Sequence, residues 1–151
     1  MATNAVTYTT PGGTIENYPQ LKARIEQHVG ETRSQKVRLE ACLKARGTAS
    51  SGTKDVAGKA TAFMQGLGGV FAGDEVVKGA LASYAFEHME IASYKILAAA
   101  ARQLGDQDTA QTCDEICREE EEMAEWLADH IDSVVIAYLQ RESSGSSASK
   151  R

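Results

Sequence analysis

Apolar positions along this chain recur at helical spacing, and at about 100° per residue they draw three long stripes. The first runs through Leu21, Ile25, His28, Thr32, Gln35, Leu39 and Cys42. It predicts a helix that opens at Pro19, a residue suited to a first turn, and closes near Gly47. The second runs through Val77, Ala80, Tyr84, Ile91, Tyr94 and Ala98, in a helix that starts at Asp74 and stops at Gly105 after about Leu104. The third, through Ile116, Met123, Leu127, Ile131, Val134 and Tyr138, belongs to a helix capped by Asp106 or Asp108 that continues to about Gln140. Between the first two stripes lies a flexible GTASSGT loop at 47–53, then a short helix over 55–66 that the glycines at 66, 68 and 69 break. Residues 1–14, rich in Thr and containing Pro11-Gly12-Gly13, predict a disordered N-terminal arm, and ESSGSSASKR at 142–151 a disordered tail. The expectation is one all-α domain over 15–141, with three long helices and a short one.

Polar side chains interrupt all three stripes. Glu87 falls near the centre of the second, and Glu90 stands on its shoulder one turn on. In the third helix Glu119-Glu120-Glu121-Glu122 sweep roughly 300° of surface, so at least one must turn inward. Glu120 projects between Ile116 and Met123, Glu119 lies at the edge, and Glu121 and Glu122 point outward. An unpaired carboxylate in a bundle interior costs several kcal/mol or takes up a proton, so the sequence must give these groups a partner. A metal cation would suit several at once, since carboxylates at i and i+3 can share an ion and Fe²⁺ or Mn²⁺ accepts their oxygens. Pairing with Arg or Lys is the alternative. His28 and Gln35 could join such a site; the alternatives are a hydrogen-bonded core histidine and an ordinary polar core residue.

Composition narrows the field. With 42% hydrophobic residues and only two prolines in 151, the chain can bury a real core of helices. A net charge of −5, without a dense Lys/Arg cluster, argues against non-specific nucleic-acid binding. No apolar run approaches the roughly 20 residues of a membrane span, no signal pattern opens the chain, and the expected location is cytoplasmic. Cys42, Cys113 and Cys117 suit free thiols. Cys113 and Cys117, at i and i+4, lack the second Cys or His pair that structural zinc needs. Tyr84 and Tyr94 flank the glutamates and read as core residues with their hydroxyls turned to carboxylates. Neither a phosphate-binding glycine loop nor a nucleophile with a His and an acid is recognisable.

The runs NYPQLKARIEQHVGETRSQKVRLE at 17–40, FEHMEIASY within 74–97, and Glu119-Glu120 followed by MAEWL resemble the ferritin-like YciE/YciF proteins, YciE more closely, over about residues 15–142. The resemblance implies a cytoplasmic, dimer-forming bundle linked to bacterial stress responses, with a carboxylate-rich site like the di-iron centres of ferritins and rubrerythrins. By the same resemblance the ligand positions are Glu31, Glu87, Glu90, and Glu119 or Glu120, of which the angular argument prefers Glu120. The Glu-x-x-His pairing of such centres is absent, since Ser34 follows Glu31 and Met123 follows Glu120 at that spacing. Family members also begin with a further helix carrying a ligand-position glutamate, and here that first bundle helix is missing.

Together these observations predict a ferritin-like antiparallel bundle, completed by homodimerisation, with a degenerate di-iron-type site for Fe or Mn. The expected metal ligands are Glu31, Glu87, Glu90 and Glu120, with His28 and Glu119 less firmly placed. The functional expectation is a metal-binding stress protein with oxidase or peroxide-scavenging chemistry, for which the sequence assigns no catalytic residue. The competing expectation is a structural or interaction protein of stress physiology that holds no metal.

Overall fold

The computed structural model describes residues 15–47 and 75–143 of the chain. A 3-10 turn at Ile15–Asn17 leads into α1 (Pro19–Ala45); α2 (Glu75–Gln103) and α3 (Gln107–Ser143) follow. Among the described residues every regular element is a helix, as the stripes predict. The arm expected at 1–14, the short helix expected at 55–66 and the tail from 144 onward lie outside the described residues. At the C-terminal end α3 reaches Ser143, three residues past the expected Gln140, and the Ser143 hydroxyl donates back to the Gln140 carbonyl at 2.9 Å.

Local sequence sets the helix ends. Pro19 occupies the first turn of α1, where a missing N–H costs nothing. At the junction of α2 and α3, Gly105 takes a φ of 77°, a left-handed conformation that side chains resist. The Asp106 N–H then reaches the Ala101 carbonyl at 2.9 Å and the Gly105 N–H reaches Arg102 at 3.0 Å, closing α2. The same Asp106 caps α3, its carboxylate accepting the Thr109 N–H at 3.0 Å. One aspartate thus ends one helix, starts the next and fixes α2 and α3 as an antiparallel hairpin.

The hairpin packs through small side chains. Ala98, Cys113, Cys117 and Ala124 lie buried with Ile91, Tyr94 and Ile116, and little bulk keeps the two backbones apart. Toward the other end, Leu21, Val76, Met123, Leu127, Val134 and Tyr138 make a second cluster that includes Tyr18. Ile116, Met123 and Leu127 are at most 1% exposed, and truncating any one to alanine should cost about 2–5 kcal/mol.

Helix α1 contributes less apolar burial, with Leu21 and Gln35 its buried residues. A polar ladder holds it to α3. Gln35 donates to Glu119, Arg38 pairs with Glu119 and Glu115, and Arg46 pairs with Asp106 at 2.6 Å. Partner numbers fall as α1 advances, so α1 runs antiparallel to α3 and parallel to α2. Thr32, placed on the apolar stripe by periodicity, is exposed and returns its hydroxyl to the His28 carbonyl at 2.9 Å.

Candidate metal centre

Three helices send ionisable side chains to one place. His28 comes from α1, Glu87 and Glu90 from successive turns of α2, and Glu120 from α3. One ligand atom from each of these four lies within 4.8 Å of all the others. Glu87 is 3% and Glu120 0% exposed, while His28 and Glu90 are half-buried. The inward turn of Glu120 and the outward turn of Glu121 and Glu122 follow the angular reading.

His28 is the hinge of the cluster. Its Nε2 stands 3.4 Å from Glu87 Oε2 and 3.6 Å from Glu120 Oε2. Both of those carboxylate oxygens are buried, and neither has a hydrogen-bond partner. On its other side, His28 Nδ1 lies 3.1 Å from Glu31 Oε2. The structure thus places Glu31 beside the group of four, where Arg24 donates to it at 3.0 Å and Gln27 at 2.8 Å. A carboxylate on the far nitrogen fixes the ring orientation, so that Nε2 faces the centre.

Glu119 also stands outside the group, since the Arg38 guanidinium holds both of its oxygens, at 2.7 and 2.5 Å. Gln35 donates its amide to Glu119 at 3.0 Å and to Glu120 Oε1. One Glu120 oxygen is therefore pinned, and the other faces the cluster. Arg38 is a residue that the stripes do not single out, and Gln35, which reads as an ordinary polar core residue, is here a support for Glu120. The available signal was spacing, because Arg24, Glu31 and Arg38 fall seven residues apart on one shoulder of α1 and Gln35 falls seven after His28.

Electrostatics show what the metal-free cluster does. Burial and the neighbouring Glu87 and Glu90 carboxylates push Glu120 up to about 8. Burial, then Glu87, pushes Glu90 up to about 7. Burial alone would lower His28, but Glu87, Glu120 and Glu31 outweigh it and raise it to about 9. Burial also raises the Tyr94 phenol, with Glu90 and Glu120 adding to the effect. Glu31, despite its own burial, is held below the usual range by Arg24, Gln27 and His28. Too many acids share too little space, and without a cation the cluster retains protons.

A helical bundle with a buried carboxylate–histidine cluster defines a ferritin-like type of protein, and the comparisons agree. Residues 10–140 match a family described as a domain of unknown function (DUF892), which is of ferritin-like type, and the chain belongs to that family. It is also similar to a protein of Xanthomonas campestris pv. campestris known from its crystal structure, at 43% identity and a TM-score of 0.69, over 83% of this chain and 76% of that one. No helix among the described residues is long and apolar enough to cross a membrane.

Proposed function

We propose that His28, Glu87, Glu90 and Glu120 hold one iron or manganese ion in a reduced version of a di-iron-type centre. The observation that carries this reading is the pair of buried, unbonded oxygens, Glu87 Oε2 and Glu120 Oε2, both facing His28 Nε2. At 3.4 and 3.6 Å the His28 ring is a distant partner for both oxygens, and a metal cation would satisfy them at closer range. Ligand bonds of about 2.0–2.2 Å put donors on one ion at most about 4.4 Å apart, so a group spanning 4.8 Å needs little contraction. Three carboxylates and an imidazole without a thiolate favour a hard or borderline ion.

Bound there, iron or manganese would supply one-electron redox chemistry toward oxygen or peroxide, which fits an oxidase or peroxide-scavenging role in stress physiology. The chain's own contribution is positional: Glu31 orients His28, Gln35 turns Glu120, and burial of Glu87 and Glu120 limits water. Metal analysis of protein purified without chelator from iron-supplied cells tests the reading. About one Fe or Mn per chain is expected. A protein free of metal would instead favour a structural or interaction role.

Assembly as a homodimer in the cytoplasm belongs to the same reading. Helix α2 carries apolar side chains on its outer face as well as its inner one, with Leu81 55%, Met89 40% and Ile96 69% exposed. Large apolar side chains exposed together on one helix face are normally covered by a partner. A two-fold copy is the commonest cover. Hundredfold dilution of the protein should therefore lower its melting temperature by several degrees. A monomer in sedimentation, with a melting temperature independent of concentration, would remove the dimer from this picture.

A further inference from the structure

Cys42 and Cys113 belong to the ladder that joins α1 to α3. Gln35 donates to Glu120 in the buried seam, and in this antiparallel register seven residues forward along α1 and seven back along α3 bring Cys42 opposite Cys113. Leu39, one turn before Cys42, packs against the apolar cluster that contains Cys113. Cys117 faces elsewhere, its Sγ lying 3.7 Å from the Ile91 carbonyl on α2. Solvent reaches the two opposed thiols unequally: Cys42 is half-buried and Cys113 is 1% exposed.

We propose that Cys42 and Cys113 are a reversible, peroxide-oxidised pair whose disulfide ties α1 to α3. Hydrogen peroxide is the oxidant. The Cys42 sulfur, as thiolate, attacks one peroxide oxygen; the O–O bond breaks, hydroxide leaves, and a proton from solvent makes it water, giving a sulfenic acid at Cys42. The Cys113 sulfur, as thiolate, then attacks the Cys42 sulfur. The S–S bond forms, the S–O bond breaks, and the departing hydroxide leaves as water with the proton that Cys113 gave up. Two thiols lose two electrons, and one peroxide becomes two waters. Burial shields the Cys113 sulfur from peroxide in solution, so oxidation begins at the more accessible Cys42. Reduction by a dithiol reverses the step, as expected of a disulfide with a regulatory role rather than a structural one.

The pair is separate from the metal cluster, since Cys113 precedes Glu120 by two turns of α3, about 10 Å of rise. The test uses the full chain, reduced, freed of reductant and exposed to a few equivalents of hydrogen peroxide. Thiols are counted in denaturant and the remaining ones alkylated. Digestion by a glutamyl endopeptidase, which can cut at Glu115 between Cys113 and Cys117, locates any link. The count should fall from three thiols to one per chain, with Cys42 joined to Cys113 and the full count restored by dithiothreitol. Cys117→Ser should still lose two thiols, and Cys42→Ser should lose none. Three surviving thiols in the parent chain, a link to Cys117, a link between chains, or undiminished loss in Cys42→Ser would overturn the proposal.

Discussion

Replacing Glu87 by glutamine should lower bound iron or manganese at least tenfold, while Glu121→Gln leaves it unchanged. Glu87 is 3% exposed and its Oε2 has no hydrogen-bond partner, so that oxygen is available to a cation. Glutamine keeps the shape but removes the charge, and its amide nitrogen would point a donor where an acceptor is needed. Glu121 has the opposite setting, on the surface with Lys95 at 2.7 Å. An intermediate result is expected for Glu31→Gln: the four proposed ligands stay, but the carboxylate beside His28 Nδ1 is lost, and such changes typically cost 10- to 100-fold in metal affinity. The order Glu87, then Glu31, then Glu121 separates a ligand from its support and from a bystander. Equal losses at Glu87 and Glu121 would remove the cluster as the metal site.

Much of this arrangement was legible in the chain because helical periodicity is a local property. The ends of α1 and the junction at Gly105 and Asp106 follow from Pro19, from a glycine where φ must be positive, and from an aspartate one residue later. The inward turn of Glu87 and Glu120 follows from angle alone. What periodicity cannot supply is the depth and rotation of one helix against another. Glu31 and His28 are three residues apart on α1, and resemblance favoured Glu31 as the ligand, whereas projection put His28 nearer the centre of the stripe. The structure brings His28 into the cluster and sets Glu31 behind it, between Arg24 and the His28 ring. Likewise, Glu119 and Glu120 are neighbours in sequence, and only the position of Arg38 on α1 gives one to an ion pair and leaves the other to the centre. These outcomes depend on contacts between residues far apart in the chain, such as His28 with Glu87 and Arg38 with Glu119.

Stripped of metal, the protein should lose stability as pH rises from 5 to 8, the reverse of what paired surface carboxylates produce. Glu120 is raised from the ordinary 4.5 to about 8 in the folded chain, so between those values the native state holds a proton that the unfolded chain has released. Stability then falls with pH. Glu90, raised to about 7, acts in the same direction over the lower part of that range. His28, raised from 6.5 to about 9, contributes stability that is complete below 6.5 and is lost as pH climbs through 9. All three signs agree, and each extra proton held by the native state is worth about 1.4 kcal/mol per pH unit. One proton over three units gives roughly 4 kcal/mol, or on the order of 10 °C in melting temperature. On the acid side Glu31 and Asp106, both lowered, oppose the trend as they are protonated, which places the optimum of the metal-free protein near pH 5. Metal should reverse the slope, because the ligands bind it in their deprotonated forms and its affinity grows with pH. Thermal melts at pH 5, 6, 7 and 8, with chelator and with added Fe²⁺ under anaerobic conditions or Mn²⁺, measure both slopes. Glu120→Gln should flatten the metal-free profile, since an amide has no proton to release. A metal-free melting temperature that is constant or rises from pH 5 to 8 would mean that the buried cluster does not hold these protons.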